Sequence, residues 1–178
     1  MRGVRVNLQT GGERDPAVAR RLIEQAARRV APLGWHLQVW TDAAMLAALH
    51  DYLAELPVPL VIDHFGLAAT LAQARPVLSL LGGGNTWVKL SAPHRVGGDV
   101  DGVARAYIAA RPDRLLWGSD WPHPGMGPRK PEAVQPFDDI DDAAALARTR
   151  HWAGDEALLR KILVENPARL YDFPQAGT

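Results

Sequence analysis

The stretch PLVIDHFG, residues 59–66, is the part of this 178-residue chain that decides its fold class. Residues 60–63 form a short, nearly continuous apolar run, which is typical of a strand buried on both faces of a parallel sheet. His64 follows directly, so an ionisable side chain stands at the carboxyl end of the strand. We therefore expect a buried parallel strand with a polar group at its tip.

Four further strands are predicted outward from this stretch, two on each side, and helical segments separate them. The five predicted strands are residues 3–8, 35–40, 60–63, 86–90 and 114–117. The main predicted helices are residues 16–31, a segment from Asp42 to Pro57, a short helix ending at Leu81, residues 100–110 and residues 156–165. Alternating strands and helices predict βαβ units and a parallel α/β sheet.

Composition narrows the class of protein. The chain has 20 Lys and Arg against 20 Asp and Glu, so no basic excess exists to attract nucleic acid or an anionic membrane. It contains no cysteine, which excludes disulfides and thiolate chemistry. No apolar stretch has the length of a membrane span or signal peptide, so we expect a cytoplasmic protein.

Five strands are too few to close a barrel. A complete eight-stranded barrel needs roughly 250 residues, and this chain has 178. The strand pattern alone therefore leaves two architectures open. The first is an open, doubly wound sheet, and the second is a barrel that lacks its first strands. Either way, the length predicts a single domain over residues 1–178.

Candidate functional residues lie at the carboxyl ends of the strands, where parallel α/β proteins collect them. This rule selects Asn7, Trp40, His64, Ser91 and Asp120. His64 and Asp120 could share a water, one as base and the other as polarising donor, or they could ligate a divalent cation such as zinc. The alternatives are a packed histidine and an aspartate in a turn.

Arg95 and the histidines are the remaining candidate site residues that residue type alone indicates. Arg95 follows the Ser91 turn, and it is either a solvated surface residue or a clamp for a substrate carboxylate. Metal-dependent barrel hydrolases usually carry a His-x-His pair at the end of the first strand. No His-x-His occurs in this sequence, where His94 and His123 stand alone.

Six stretches of the chain resemble the amidohydrolase superfamily, in the amidohydrolase-related branch that includes 2-pyrone-4,6-dicarboxylate lactonase and the sugar lactonases. They are RGVRVNL (2–8), GWHLQVW (34–40), PLVIDHFG (59–66), WVKLSAPHRV (87–96), LLWGSDWPHP (115–124) and ILVENPARLYDF (162–173). The resemblance implies a partial (β/α)8 TIM barrel made of strands four to eight with their helices. It also implies a single domain that is truncated at its N-terminus.

The same resemblance assigns roles to individual residues. It makes Asp120 the general base for the hydrolytic water and His64 the group that polarises the scissile carbonyl or holds the water. Arg5 and Arg95 match arginines that bind a substrate carboxylate. Asn7, Trp40, Ser91 and His123 are the further candidates for substrate binding, and His64 with Asp120 would ligate a metal if a divalent ion is bound.

Two departures from the pyrone lactonase pattern weaken the case for that particular dicarboxylate. Residues 9–12 (QTGG) replace a basic pair, and Trp40 replaces a tyrosine. The expected function is therefore hydrolysis of a lactone or cyclic ester of a carboxylated small molecule. The alternatives are a metal-dependent decarboxylase and a catalytically inactive truncated fragment, whose open sheet edge would favour formation of a homo-oligomer.

Overall fold

The computed structural model describes residues 1–125, 134 and 136–173. Five strands form one sheet, and every neighbouring pair is parallel. The strands are β1 (Gly3–Asn7), β2 (His36–Trp40), β3 (Leu60–Ile62), β4 (Thr86–Ser91) and β5 (Leu115–Gly118). All five predicted strands are confirmed, and their ends differ from the predicted ones by only one residue.

Helices connect the strands in the predicted places. They are α1 (Pro16–Val30), α2 (Ala43–Ala48), α3 (His50–Ala54), α4 (Leu71–Gly82), α5 (Pro93–Val96), α6 (Val100–Ala110), α7 (Asp142–Ala153), α8 (Glu156–Arg160) and α9 (Asn166–Tyr171). The predicted helix that starts at Asp42 is split at Leu49, whose ψ of 5° leaves the helical range. Its leucines at 46, 49, 53 and 56 all stay buried, so the predicted packing face survives the break.

Side-chain caps fix where several helices begin. Asp15 accepts a hydrogen bond from the Ala17 amide, and Pro16 occupies the first turn of α1. Further N-caps of the same kind are Asp42, Thr70, Asp99, Asp141 and Asp155. Each such cap contributes about 1 kcal/mol, because it satisfies an amide that has no partner inside the helix.

The two faces of the sheet have different coverings. Alternate strand residues such as Ile62 and Val88 belong to the large apolar core with the helices. The opposite face carries a smaller cluster of Val61, Trp87 and Leu116. Leu170 and Tyr171 at the end of α9 pack against this smaller cluster, so the C-terminal helix covers part of the inner face.

The strand order β1-β2-β3-β4-β5 decides between the two architectures. A doubly wound sheet reverses its strand order at a switch point, whereas a barrel adds each strand beside the previous one. The observed order has no reversal, so the fold is α/β and corresponds to part of a TIM barrel. Among the described residues, β1 and β5 each have one edge without a partner strand; self-association through these edges stays a prediction.

No helix in residues 1–125, 134 and 136–173 combines the length and the apolar character needed to cross a membrane.

Candidate active site

A small cleft opens on the inner face of the sheet, toward the carboxyl ends of the strands. Its volume is about 150 Å³, and it is lined by Arg5, Gln38, Asp63, His64, Lys89, Ser91, Gly118 and Asp120. All five strands, or the residues directly after them, contribute to this lining. Ligand pockets usually measure about 300–1,000 Å³, so these residues supply only part of the surroundings of a bound molecule.

His64 is held at the cleft by contacts on both ring nitrogens. Its Nδ1 lies 2.8 Å from Ser91 Oγ, and its Nε2 lies 3.4 Å from Asp120 Oδ1. The Trp40 ring packs edge-on against the imidazole, with ring centroids 5.4 Å apart. In the tautomer with the proton on Nε2, Nδ1 accepts from the Ser91 hydroxyl, and the imidazole presents a hydrogen-bond donor toward Asp120 and the cleft.

The backbone that carries His64 has an unusual conformation. His64 and Phe65 have φ of 49° and 57°, and Gly66 continues the turn with φ of 64°. Residues other than glycine seldom adopt this left-handed conformation. The loop therefore needs contacts with the rest of the fold to hold it in place. Tyr107 Oη donates a 3.0 Å hydrogen bond to the Phe65 carbonyl and anchors the turn from helix α6.

Asp120 is oriented by a buried arginine. Arg95 Nε donates to Asp120 Oδ2 at 2.7 Å, while Arg95 Nη2 donates to the Pro124 carbonyl at 2.9 Å. The Arg95 side chain is only 2% exposed, against 19% for Asp120. Arg95 therefore fixes one carboxylate oxygen and leaves the other directed toward His64.

The floor of the cleft is a polar network centred on the buried Asp63. Arg5 Nη2 lies 2.7 Å from Asp63 Oδ2, and Lys89 Nζ lies 3.5 Å from Asp63 Oδ1. Gln38 Nε2 donates to both Asp63 oxygens at 2.9 and 2.8 Å, and Gln38 Oε1 accepts from Lys89 at 2.7 Å. Burial lowers the pKa of the Lys89 ammonium, and the Asp63 carboxylate opposes that shift.

Three residues of this floor, Gln38, Asp63 and Lys89, were not predicted as site residues. The sequence does contain a signal for two of them. Gln38 precedes Trp40 by two positions, and Lys89 precedes Ser91 by two positions. Since strand side chains alternate between faces, each shares a face with a predicted site residue.

Four of the eight predicted site residues line the cleft, and Trp40, Arg95, Asn7 and His123 lie outside its lining. Arg5, His64, Ser91 and Asp120 come together as lining residues of the cleft. Trp40 contacts two of them: its ring packs edge-on against the His64 imidazole, and the Arg5 guanidinium carbon lies 4.9 Å from the Trp40 ring centroid.

Asn7 and His123 lie outside the lining of the cleft. Asn7 closes a turn through hydrogen bonds of 2.9 and 3.0 Å with Thr10. His123 Nε2 lies 3.1 Å from Asp142 Oδ1, and its ring stacks edge-on with His94. A role for either residue in substrate binding stays a prediction.

The environment of His64 predicts how it titrates. Burial lowers the pKa of the imidazole below its ordinary value of about 6.5, although Asp63 and Asp120 oppose the shift. At pH 6.5 we expect His64 to remain mostly neutral, where a free imidazole is half protonated. As the pH falls below 6.5, the unfolded chain takes up the proton first, so the stabilisation from neutral His64 is lost.

Nitrogen-15 chemical shifts of the histidine rings measure this directly, and a His64→Gln variant identifies the signal. Urea unfolding of both proteins between about pH 7 and pH 5 measures the linked change in stability. A His64 signal with an apparent pKa at or above 6.5 would contradict the prediction.

Two larger clefts lie near the amino-terminal ends of the strands, with volumes of about 490 and 530 Å³. Arginines line both of them, and three of these arginines donate to backbone carbonyls. Arg2 donates to the Tyr171 carbonyl, Arg114 to the Gly84 carbonyl, and Arg169 to the Asp113 carbonyl. The smaller cleft remains the candidate site, because the ionisable pair of His64 and Asp120 lies there at the carboxyl ends of the strands.

The described residues do not form a metal site by themselves. Among residues 1–125, 134 and 136–173, no three His, Cys, Asp or Glu side chains converge where they could hold a metal ion. His64 and Asp120 would supply two donors, but Ser91 and Arg95 already engage their other polar atoms. Catalytic zinc sites have three protein ligands, so this donor set is too small.

Comparison with known proteins points to one family. A family model described as "Amidohydrolase" matches residues 1–173. A 2-pyrone-4,6-dicarboxylate hydrolase of Comamonas testosteroni is 32% identical over 167 residues, which cover 83% of this chain and 52% of the relative. A 4-sulfomuconolactone hydrolase of Rhizobium radiobacter is 36% identical over 152 residues, which cover 78% of this chain and 48% of the relative. The chain thus spans about half the length of the curated relatives it matches.

Solved structures agree with the fold. A candidate 2-pyrone-4,6-dicarboxylic acid hydrolase from Pseudomonas putida matches with a TM-score of 0.77 and 26% identity, over 99% of this chain and 65% of that chain. An amidohydrolase from Burkholderia multivorans, solved with bound zinc, matches with a TM-score of 0.69 and 23% identity, over 98% of this chain and 65% of that chain. At 23% identity that likeness concerns the fold alone. The matches confirm the predicted resemblance and the partial barrel.

Proposed function

The chain belongs to the amidohydrolase family, and on that premise we propose that the protein carrying this sequence hydrolyses a lactone that bears a carboxylate. The observation that carries this proposal is the pairing of His64 Nε2 with Asp120 Oδ1, 3.4 Å apart at a cleft with cationic side chains. Curated relatives at 32% and 36% identity are named as hydrolases of 2-pyrone-4,6-dicarboxylate and 4-sulfomuconolactone. Residues 1–178 would form part of a single domain.

The proposed reaction uses Asp120 as general base. Its carboxylate takes a proton from a water molecule, and the water oxygen attacks the lactone carbonyl carbon. His64 donates a hydrogen bond from Nε2 to the carbonyl oxygen, which gains negative charge in the transition state. The ring C–O bond then breaks, and the proton held by Asp120 passes to the leaving oxygen. The product is the open-chain hydroxy acid.

Arg95 and Ser91 support the two reacting groups in this scheme. The 2.7 Å hydrogen bond from Arg95 Nε fixes the orientation of the Asp120 carboxylate. In the tautomer with the proton on Nε2, the Ser91 hydroxyl donates to Nδ1 of His64. His64→Gln should therefore reduce turnover less than loss of Asp120, because a glutamine amide can still donate.

An activity assay tests the proposal. The protein carrying this sequence is incubated with 2-pyrone-4,6-dicarboxylate, 4-sulfomuconolactone, a carboxylated γ-lactone and a neutral γ-lactone of the same ring size. Release of acid in a pH-stat reports ring opening. We expect hydrolysis of at least one carboxylated lactone and slower hydrolysis of the neutral one. Absence of ring opening with all four would overturn the proposal, and release of CO₂ instead would support the decarboxylase alternative.

A further inference from the structure

One of the two clefts near the amino-terminal ends of the strands has the size of a ligand site. Its volume is about 490 Å³, against about 150 Å³ for the small cleft at the carboxyl ends. Ligand pockets usually measure about 300–1,000 Å³. We call it the amino-terminal cleft, and its lining includes Arg2, Trp35, Pro59, Trp87, Arg114 and Arg169.

Two arginines from different parts of the chain converge on one tryptophan in the amino-terminal cleft. The guanidinium carbons of Arg114 and Arg169 each lie 4.9 Å from the Trp87 ring centroid. Both groups also approach the same carboxylate oxygen, Asp113 Oδ2, at 2.9 and 3.8 Å. The two positive charges are therefore close neighbours. Burial lowers the pKa of Arg114, and the charge of Arg169 adds to that shift.

Carboxylates balance only part of this positive charge. Asp113 is shared by three guanidinium groups, because Arg111 also binds it, with Nε 3.1 Å from Oδ1. Arg2 pairs with Asp172 at 2.9 Å. These ion pairs join four arginines to two carboxylates, which leaves an excess of two positive charges.

The two arginines at Trp87 keep N–H donors for a further partner. Arg114 donates from Nε to the Gly84 carbonyl and from Nη1 to Asp113. Arg169 donates from Nη2 to the Asp113 carbonyl. Within the part of the chain that the structure describes, Arg114 Nη2 and Arg169 Nε and Nη1 make no hydrogen bond. The two side chains are 21% and 50% exposed, so a small molecule can reach them.

Apolar side chains complete the amino-terminal cleft. Leu33 is 56% exposed, and Trp35 and Pro59 are half-buried. Exposed apolar and aromatic surface of this kind can cover the apolar part of a ligand. The cleft thus combines two neighbouring guanidinium groups with an apolar surface.

We propose that the amino-terminal cleft binds a phosphate monoester with an apolar, ring-sized body, and that the phosphate bridges Arg114 and Arg169. A phosphate monoester carries about 1.5 to 2 negative charges near pH 7, which matches the excess of two positive charges. A carboxylate would balance only one of them. The phosphate oxygens also suit the planar forks of two guanidinium groups. This site lies at the opposite end of the strands from His64 and Asp120 and is independent of the proposed hydrolysis.

Isothermal titration calorimetry of the protein carrying this sequence tests the site with phenyl phosphate, inorganic phosphate, benzoate and phenol. We expect one molecule of phenyl phosphate to bind per chain. Inorganic phosphate should bind more weakly because it lacks the ring, and benzoate more weakly because it carries a single charge. Phenol should give no binding heat. Added salt should weaken the binding of phenyl phosphate, because it screens the charges.

Three variants locate the ligand. Arg169→Gln should raise the Kd for phenyl phosphate about 10- to 100-fold, because charge-assisted hydrogen bonds are lost. Arg169→Lys keeps the charge without the planar fork, so its Kd should lie between those of wild type and Arg169→Gln. Arg150→Gln is the matched control, because Arg150 is a 63% exposed arginine of α7 outside the lining of this cleft. It should bind phenyl phosphate as the wild type does.

Lys89→Gln separates the two clefts, because Lys89 lines the small cleft at the carboxyl ends of the strands. It should leave the Kd for phenyl phosphate unchanged. Circular dichroism of each variant checks that the fold is retained, and Arg169→Lys carries the test if Arg169→Gln does not fold.

Several outcomes would overturn the proposal. An unchanged Kd in both Arg169 variants means that Arg169 does not bind the phosphate. A Kd raised as much by Arg150→Gln means that the effect is one of general charge, and a loss in Lys89→Gln alone places the phosphate in the small cleft. Benzoate that binds as tightly as phenyl phosphate contradicts the choice of a phosphate. The titration requires no turnover, so absence of lactone hydrolysis would contradict only the proposed function.

Discussion

Replacement of Asp120 by asparagine should lower the kcat of lactone hydrolysis by about 100- to 10,000-fold, the usual contribution of a general base. Asparagine has nearly the same size, and its amide oxygen can still accept the hydrogen bond that Arg95 donates at 2.7 Å. It cannot accept a proton from water. The expected loss is therefore in the chemical step, and KM for the carboxylated lactone should change little because the floor of the cleft is intact.

The measurement is a steady-state assay of the variant and the wild type with the same carboxylated lactone. Asp51→Asn is the matched control, because Asp51 is a fully exposed aspartate on the surface of α3. It should keep wild-type turnover. If Asp120→Asn retains kcat within about tenfold of wild type, another group is the base and the proposed mechanism fails.

The strands and most helix starts were predictable from local patterns, whereas the barrel architecture was not. Short apolar runs such as residues 60–63 mark buried strands, and residues such as Asp15 and Asp42 mark helix starts through their own side-chain hydrogen bonds. Both signals depend on residues that are close in sequence. The split of the second predicted helix at Leu49 has no such signal, since neither glycine nor proline stands there.

The site was predicted only in part, because its contacts join residues far apart in sequence. Strand ends located His64 and Asp120, but nothing local indicates that Arg95, 25 positions before Asp120, is buried against it. Lys89 and Gln38 lie within strands rather than at their ends. A polar residue within a strand usually indicates that this side of the strand faces solvent. In a barrel, however, the inner face of the same strand lines the site.

Phe65→Ala should cost about 3–5 kcal/mol of the free energy of unfolding, the usual range when a buried phenylalanine is truncated. The Phe65 side chain has no exposed surface and meets the Trp152 ring edge-on, with centroids 5.6 Å apart. Its removal leaves a cavity between the sheet and α7. Since domains of this kind are stable by only about 5–15 kcal/mol, the variant should unfold at much lower urea concentrations.

Phe137→Ala is the matched control from a chain that has three phenylalanines. Phe137 is 67% exposed, so its truncation should change the free energy of unfolding by no more than about 0.5 kcal/mol.

The comparison bears on the site as well as the core, because Phe65 directly follows His64 in a strained left-handed turn. Such a turn persists only when the surrounding packing offsets its backbone strain, and Phe65 is the side chain that packs the turn into the core. If Phe65→Ala costs less than about 1 kcal/mol, the turn is held by other contacts, such as the Tyr107 hydrogen bond. If the cost falls in the expected range, the position of the His64 imidazole and the stability of the core are set by the same side chain.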